Sequence, residues 1–348
     1  MLTAKENMRQ TLIGGKPDRI VNQFEALQFA VHPFMMLDPE AKKGGPNVVN
    51  SWGVTRSFPE NVPGAFPVHT PETIVCKDIE HWQDYVHAPS LKFPEELWAQ
   101  CKETLYDPID RDKAFATTLV VGGLFEMSHH LQGIEEALMN YLLYPDEMHD
   151  LIKYLADFEL EMAEGICSHL HPEVIFHHDD WGSEANSFLP THVFEDFFIE
   201  PYQQIYKYYK DHGVEFIIHH SDSYGVNLLP AMIEMGIDVW QGCMESNNNA
   251  ELLKEYRGKI GFMGDIDNKS IDFTGWTQDD ANRVARRAIE RCQGQGFIPC
   301  ITQGGPGSVF PGTYQALIDA IDDYNTEKFG FTREEQAAQR MPLQILFG

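Results

Sequence analysis

The chain is poor in basic residues, with 26 Lys and Arg against 53 Asp and Glu, which gives a net charge of -27. A charge of that sign and size repels phosphate backbones and anionic lipid surfaces. We therefore expect no nucleic acid and no membrane surface among its partners. The acidic surface is better explained as a solvated face than as a docking surface for a basic partner protein.

The sequence also lacks long apolar runs and paired cysteines. No stretch of about 18 apolar residues is present to span a membrane, and charges throughout "MLTAKENMRQTLIGGKPDRI" leave no apolar segment for a secretion signal. The six cysteines form no CxxC pair, which favours free thiols in a reducing cytoplasm. No G-x-G-x-x-G or P-loop motif follows an apolar run, which disfavours a nucleotide-binding sheet. We therefore expect a cytoplasmic globular protein.

Short apolar runs alternate with long helical patterns from residue 110 onward. Apolar residues at helical spacing predict helices over 145–170 and 190–213, the second with a kink at Pro201, and a third helix capped by Thr277. The apolar runs predict parallel strands buried on both faces, and they read "AFATTLVVGG", "VIFHH", "EFIIHH", "GIDVWQG", "KIGFMG" and "GFIPCIT".

Strand–helix repetition of this kind predicts a parallel sheet built from right-handed βαβ units. With "RIVNQF" at 19–24 the chain has seven candidate strands, and an eighth strand within 50–110 would complete a (β/α)8 barrel. The expected fold class is therefore α/β, with a (β/α)8 TIM barrel forming a single domain over 1–348. Residues 50–110, rich in Pro and turn residues, are expected to form an irregular N-terminal excursion over one barrel mouth.

Polar side chains follow the predicted strands at the points where the strands end. Two neighbouring strands end almost alike, in "HHDDW" at 177–181 and "HHSDSY" at 219–224. In a (β/α)8 barrel such ends lie at one mouth and build the active site. Because buried clusters of titratable groups are costly unless they bind or catalyse something, we expect one polar cup there.

Alternation along a strand limits which of these side chains share the cup. His220 and Asp222 are expected to face one side while His219 faces the other, so one histidine of each pair is predicted to be structural. Trp181 and Tyr224 fit core packing as well as they fit a substrate platform. The strand ends carry no Lys or Arg before Lys269, so the cup has no clamp for a polycarboxylate or a phosphate. A neutral or cationic, partly aromatic substrate fits better.

Three segments of the sequence resemble the uroporphyrinogen decarboxylase superfamily, and in particular its corrinoid-dependent methyltransferase branch. They are "ENMRQTLIGGKPDRI", "HHDDWGSEANSFLPTHVFEDFFIEPYQQI", and "IIHHSDSYGVNLLPAMIEMGIDVWQ" with "GFMGDID". The resemblance covers most of the chain and implies a (β/α)8 barrel that transfers a methyl group to the cobalt of a corrinoid. The chain has no Asp-x-His-x-x-Gly corrinoid motif, so the corrinoid is expected on a partner protein.

The resemblance is incomplete at the metal site. Methyltransferases of the coenzyme M type hold zinc with a His-x-Cys pair and a second Cys near the last strand. Here the pair reads His220-Ser221-Asp222, and Cys300 lies a few residues early. A site rich in soft thiolate ligands suits thiol activation, whereas histidine and aspartate are harder ligands. Such a site could hold Zn²⁺ or another divalent ion against an ether oxygen, or perform acid–base work without a metal.

The expected reaction is transfer of a methyl group from an O-methyl donor, in particular a methoxylated aromatic, to Co(I) of the corrinoid on the partner. The cup would protonate or coordinate the leaving oxygen. The catalytic candidates are His178, Asp180, His220 and Asp222. The substrate-binding candidates are Phe125, Glu126, Trp181, His219, Tyr224 and Gln303. The candidate metal ligands are Glu184, His220, Asp222, Glu245 and Cys300.

Two other interpretations stay open. A decarboxylase acting on a porphyrinogen-like substrate would require cationic groups in the cup. A non-catalytic barrel that binds a small molecule would show neither turnover nor metal. The sequence leaves a homodimer open and does not identify the methyl donor.

Overall fold

The protein is described by a computed structural model that covers residues 1–62, 64–293 and 295–343. Its strands are β1 (Leu27–Ala30), β2 (Val48–Val49), β3 (Thr55–Ser57), β4 (Phe66–Pro67), β5 (Phe115–Val121), β6 (Val174–His178), β7 (Phe216–His220), β8 (Val239–Cys243), β9 (Gly261–Ile266) and β10 (Phe297–Ile301).

Seven of these strands form one curled parallel sheet in the order β1-β5-β6-β7-β8-β9-β10. The six strands predicted from residue 110 onward are confirmed as β5 to β10. In the described part of the chain no hydrogen-bonded pairing joins β1 to β10, so the sheet has two edges. The fold is therefore an α/β half-barrel of the TIM type, and the expectation of eight strands in a closed sheet is not met.

The first strand lies later in the chain than predicted. Residues 19–24 precede β1 and enter a turn, in which the Glu25 amide donates to the Asn22 carbonyl and Gln23 adopts a φ of 50°. The amide of Ile20 and the side chain of Asn22 bond to the helix that contains Asn325 and Asp322. A turn and hydrogen bonds to this distant helix thus take the place of a strand ladder in the apolar run "RIVNQF".

Pro299 lies inside β10, where the ring removes one backbone donor. The strand tolerates this loss because β10 is an edge of the sheet and pairs only with β9 among the described residues.

Helices cover the outside of the sheet, and two of them match the predicted segments closely. The helix predicted over 145–170 is confirmed as Pro145–Leu170, and the next helix continues through Pro201. Thr277 is confirmed as an N-cap, and it also forms a capping box with Asp280. The helices are α1 (Ala4–Leu12), α2 (Pro33–Leu37), α3 (Glu95–Cys101), α4 (Leu124–Gln132), α5 (Ile134–Leu143), α6 (Pro145–Leu170), α7 (Thr191–Asp211), α8 (Leu229–Met235), α9 (Asn249–Glu255), α10 (Gln278–Arg291), α11 (Thr313–Phe329) and α12 (Arg333–Ala337).

The segment over 50–110 supplies no strand to the main sheet among its described residues. Instead β2, β3 and β4 pair with one another as a small antiparallel sheet. The segment that follows docks on α4, because the Cys76 amide donates to the Leu131 carbonyl at 2.8 Å and His69 Nε2 lies 3.0 Å from the His130 carbonyl. The prediction of an eighth barrel strand here was wrong, because these short strands find partners in each other.

No helix among the described residues is both long enough and apolar enough to cross a membrane. The six cysteines are free and buried.

Candidate functional site

The two His-His pairs divide between the two faces of the sheet. His178 and His220 are paired in the register of β6 and β7, and their rings stack with centroids 4.5 Å apart. His177 and His219 point the other way, toward α7, where both Nδ1 atoms lie 2.8 Å from the Tyr206 hydroxyl. The prediction that His220 and His219 face opposite sides of the sheet is therefore confirmed.

Three side chains converge inside the sheet where β6 and β7 end. One ligand atom each from His178, Asp180 and His220 lies within 4.8 Å of the others. Nε2 of His178 and Nε2 of His220 each lie 3.9 Å from an Asp180 carboxylate oxygen. A carboxylate oxygen of Asp222 also lies 3.9 Å from His220 Nε2, and the Asp222 amide donates to Asp180 at 3.0 Å. We call these four residues the His/Asp cluster.

Both cluster histidines are oriented by a hydrogen bond on the opposite ring nitrogen. Nδ1 of His178 donates to the Glu126 carboxylate at 2.9 Å, and Nδ1 of His220 donates to the Gln241 side-chain oxygen. The Gln241 amide nitrogen donates to the Ile301 carbonyl, which fixes the direction of the amide. Since both Nδ1 atoms carry a proton, each Nε2 presents a lone pair toward Asp180 whenever it is unprotonated. Metal-ligating histidines are held in this way.

Asp179 holds the first turn of α4 against the cluster. Its carboxylate accepts hydrogen bonds from the amides of Phe125 and Glu126 at 3.1 and 2.8 Å, and from the Tyr202 hydroxyl at 2.5 Å. Gly123 is required at this junction, because a Cβ there would lie 2.4 Å from the Asp179 side chain and 2.6 Å from the Tyr202 hydroxyl. Asp179 thereby places Glu126 within reach of His178.

Burial and neighbouring charges shift the pKa values of the side chains at the site in opposite directions. Burial opposes a charge on His178, but Glu126, Asp180 and Asp222 outweigh burial and raise its pKa to about 10. Burial likewise opposes ionisation of Glu126, yet the neighbouring His178 lowers the pKa of Glu126 to about 2. Burial and the charge of Asp180 raise the pKa of Asp222 to about 8, whereas burial and His178 lower the pKa of His220. Near neutral pH the metal-free cluster therefore holds a proton on His178 and on Asp222.

Three of the predicted substrate-binding residues lie outside the cup. Trp181 and His219 are buried behind the sheet, with their rings stacked 3.9 Å apart, and the Trp181 indole donates to Asp179. Phe125 is buried against Tyr141 and Phe198. These three side chains pack the core, because alternation along the strand and the inward face of α4 turn them away from the cluster.

The other predicted substrate-binding residues stay candidates. Glu126 is the partner of His178, which makes it a supporting residue for the cluster. Gln303 hydrogen-bonds to the Asp222 side chain and is exposed. Tyr224 is half-buried in the loop after β7, where its amide donates to the Ser183 carbonyl.

Three predicted metal ligands are not part of the cluster. Glu184 pairs with Lys269 at 2.9 Å, and Glu245 pairs with Arg291 at 3.0 Å. Cys300 is buried beneath the cluster with a hydrogen bond to Gln241, and burial raises the pKa of its thiol well above the usual range. None of the three belongs to the set of ligand atoms that converges with His220 among the described residues. The described residues offer one set of converging ligands, and it contains His178 and Asp180 instead.

Gln241 and Asp179 are functional candidates that the sequence did not single out. Gln241 lies near the end of the predicted strand "GIDVWQG", and its register partner is His220. A register assignment of β8 against β7 would have found it, but register is not visible in an apolar run alone. Asp179 directly precedes Asp180, and only Asp180 was predicted, since two adjacent aspartates at one strand end do not reveal which of them holds a neighbouring helix.

Comparison with a solved structure agrees with this fold. A structure of a methyltransferase from Methanosarcina mazei matches with a TM-score of 0.65 and 13% sequence identity, covering 93% of this chain and 99% of that chain. This likeness shows a shared fold. A fructose-1,6-bisphosphate aldolase described as putative from Coccidioides immitis (TM-score 0.31, 9% identity, 64% of this chain and 82% of that one) and an endo-beta-N-acetylglucosaminidase from Cordyceps militaris (0.37, 9%, 91% and 94%) are more distant.

The sequence itself places the chain in a family. A search of curated proteins finds no significant match. The family model for uroporphyrinogen decarboxylase (URO-D), however, matches residues 53–324, a range that includes β3 to β10 and the whole His/Asp cluster. The chain therefore belongs to the uroporphyrinogen decarboxylase family.

Proposed function

We propose that the protein is a methyltransferase that moves a methyl group from an O-methyl donor, a methoxylated aromatic, to the Co(I) corrinoid of a separate protein. The observation that supports this proposal most directly is the convergence of His178, Asp180 and His220, with both histidines held through Nδ1. The fold shared with the Methanosarcina mazei methyltransferase is consistent with it.

The His/Asp cluster fits a divalent metal ion. Zn²⁺ binds imidazole nitrogen and carboxylate oxygen in sites that keep one position open for substrate. His178, Asp180 and His220 would hold the ion, with Glu126 and Gln241 as outer hydrogen-bond partners. A bound ion would supply positive charge to a leaving oxygen. Loading the site requires His178 to lose its Nε2 proton, so metal binding releases a proton.

Asp222 is placed to supply a proton to the same oxygen. Its carboxyl lies beside His220 and beside the exposed Gln303, and burial with the Asp180 charge raises its pKa to about 8. In the proposed reaction Co(I) donates an electron pair to the methyl carbon, the carbon–oxygen bond breaks, and its electron pair stays on oxygen. That oxygen takes the Asp222 proton and leaves as a phenol.

The corrinoid would arrive on a partner protein at the end of the sheet where β6 and β7 finish. We propose a cytoplasmic enzyme of this kind, with the chain forming a single domain. A homodimer is compatible with this proposal.

The test is an anaerobic assay with purified protein, cob(I)alamin, and a panel of methoxyarenes, methanol and methylamines. Formation of methylcobalamin from methoxyarenes, lost in His220→Ala, is the expected result. Metal content measured on the same sample distinguishes a bound ion from proton donation alone. The proposal would be refuted if no donor of the panel gave methyl transfer, even when corrinoid proteins from the same genome are supplied. Carbon dioxide release from a porphyrinogen would support a decarboxylase instead.

A further inference from the structure

We propose that His219, on the face of the sheet that points away from the His/Asp cluster, positions the proposed metal ligand Asp180 through a hydrogen-bond network that donates in one direction only. The members of the network are Glu159, His177, Tyr206 and His219, and we call it the Glu159 network. This inference rests on the proposed function in one respect, because it takes Asp180 as a ligand of the metal. His219 acts through the backbone and is therefore a positioning residue.

The Glu159 network ends on the backbone next to Asp180. Nε2 of His219 lies 3.1 Å from the carbonyl oxygen of Asp179. A carbonyl oxygen can only accept a hydrogen bond, so Nε2 of His219 carries a proton. That carbonyl belongs to the planar peptide that leads into Asp180, and its direction therefore fixes where the Asp180 backbone begins. Because Asp180 lies beyond the end of β6, outside the ladder of the sheet, this hydrogen bond holds a segment that the strand itself does not hold.

The single hydroxyl hydrogen of Tyr206 determines the next two proton positions. Nδ1 of His177 and Nδ1 of His219 each lie 2.8 Å from the Tyr206 hydroxyl oxygen. A proton on both nitrogens of His219 would leave the Tyr206 hydrogen without an acceptor in the network, so Nδ1 of His219 accepts it. The hydroxyl oxygen then accepts from His177, whose Nδ1 carries a proton. His177 and His219 therefore hold their protons on different ring nitrogens.

The far end of the Glu159 network requires a proton on Glu159. With its proton on Nδ1, His177 presents the lone pair of Nε2, which lies 3.4 Å from Glu159 Oε2. Both atoms are buried, and neither has a hydrogen-bond partner in the described part of the chain. A proton on Glu159 satisfies both atoms, whereas a carboxylate would face a lone pair. The pKa of Glu159 agrees with this assignment, because burial, with the charge of Asp179, raises it well above its usual value.

The opposite direction of donation is incompatible with the contact at Asp179. If Glu159 accepted from His177, the Tyr206 hydroxyl would donate to His177. His219 would then donate from Nδ1 to Tyr206. Its Nε2 would present a lone pair to the Asp179 carbonyl, and that contact would be repulsive. Both ends of the network thus select the same direction, and the tautomer of His219 is the feature that reaches the backbone beside Asp180.

Two measurements on the full-length protein test this role. Proton–nitrogen correlation spectra of metal-free protein labelled with nitrogen-15 histidine should show the Nδ1–H tautomer for His177 and the Nε2–H tautomer for His219. Competition for Zn²⁺ against a chelating dye should show affinity weaker by about tenfold in His219→Leu, the lower end of the range for losing an outer partner of a ligand. His219→Gln has similar bulk and keeps an amide donor near the position of Nε2, so it should recover part of that loss. Tyr209→Phe, which alters another buried tyrosine of α7, is the control and should leave the affinity unchanged.

The outcomes separate the Glu159 network from the proposed function. An Nδ1–H tautomer of His219 in the wild type would overturn the network. Equal Zn²⁺ affinities of His219→Leu and His219→Gln, whatever their stability in urea, would overturn the positioning role. Zinc affinity that depends on the donor at position 219, without methyl transfer from any donor, would support the network and count against the methyltransferase. Active methyl transfer with unchanged zinc affinity in His219→Leu would do the reverse. A wild type that binds no Zn²⁺ would overturn the positioning role together with the metal site.

Discussion

The hydrogen bond from His220 to Gln241 gives the most direct test of the proposed metal site. In Gln241→Leu the side chain keeps similar bulk but loses the oxygen that accepts the Nδ1 proton of His220. Both residues are buried, His220 at 5% and Gln241 at 1% exposure, so water cannot easily replace that oxygen. The imidazole then loses the partner that selects its tautomer and holds Nε2 toward Asp180.

The expected effect on metal affinity is a loss of about 10- to 100-fold, which is typical when a ligand histidine loses its outer partner. That range corresponds to about 1.4 to 2.7 kcal/mol of binding free energy. The unpaired Nδ1 donor should also lower the free energy of unfolding by about 1 to 3 kcal/mol. The two effects are measured separately, by competition for Zn²⁺ against a chelating dye and by urea unfolding of metal-free protein.

Two further variants make this test specific. Gln241→Glu retains an acceptor for His220 Nδ1 and should recover the metal affinity. Gln204→Leu removes an exposed amide from α7, whose contact is with Glu200, and should change neither quantity. If Gln241→Leu binds Zn²⁺ as tightly as the wild type, the assignment of His220 as a metal ligand oriented by Gln241 is refuted.

Three other substitutions probe the site and its support. His220→Ala should abolish both metal binding and methyl transfer while the far-ultraviolet circular dichroism stays unchanged; near-normal transfer rates would contradict the site. Gly123→Ala should destabilise the protein by about 1 to 3 kcal/mol in urea unfolding, because the added Cβ overlaps Asp179, and a neutral effect would show that α4 shifts freely. Burial, with the charge of Asp179, raises the pKa of Glu159 well above its usual value. The folded state therefore keeps a proton that the unfolded state loses above about pH 4.3, so stability falls as pH rises by up to about 1.4 kcal/mol per unit. Glu159→Gln should lack this decline when unfolding is compared at pH 5, 6 and 7, and parallel pH profiles would contradict a protonated Glu159.

The parts of the fold that could be predicted from the sequence are those that depend on local pattern. The strands β5 to β10 are continuous apolar runs because both of their faces are covered. The strand period of two is equally local, and it correctly assigns His220 and His219 to opposite faces of the sheet. The first strand was misplaced because "RIVNQF" is apolar enough for a strand, while its polar groups bond to Asn325 and Asp322, about 300 positions away in the chain.

The parts that could not be predicted depend on contacts between distant segments. Gln241 becomes the partner of His220 through the register of β8, and Glu126 becomes the partner of His178 because Asp179 holds α4. The strand ends carry no cation before Lys269, and this pattern favoured a neutral or cationic donor. A cation outside the main sheet escapes that pattern: Arg56, in β3, adds to the lowering of the pKa of His130 in α4, which burial causes first. The charge around the strand ends is therefore a tertiary property, because segments that do not belong to the main sheet contribute to it.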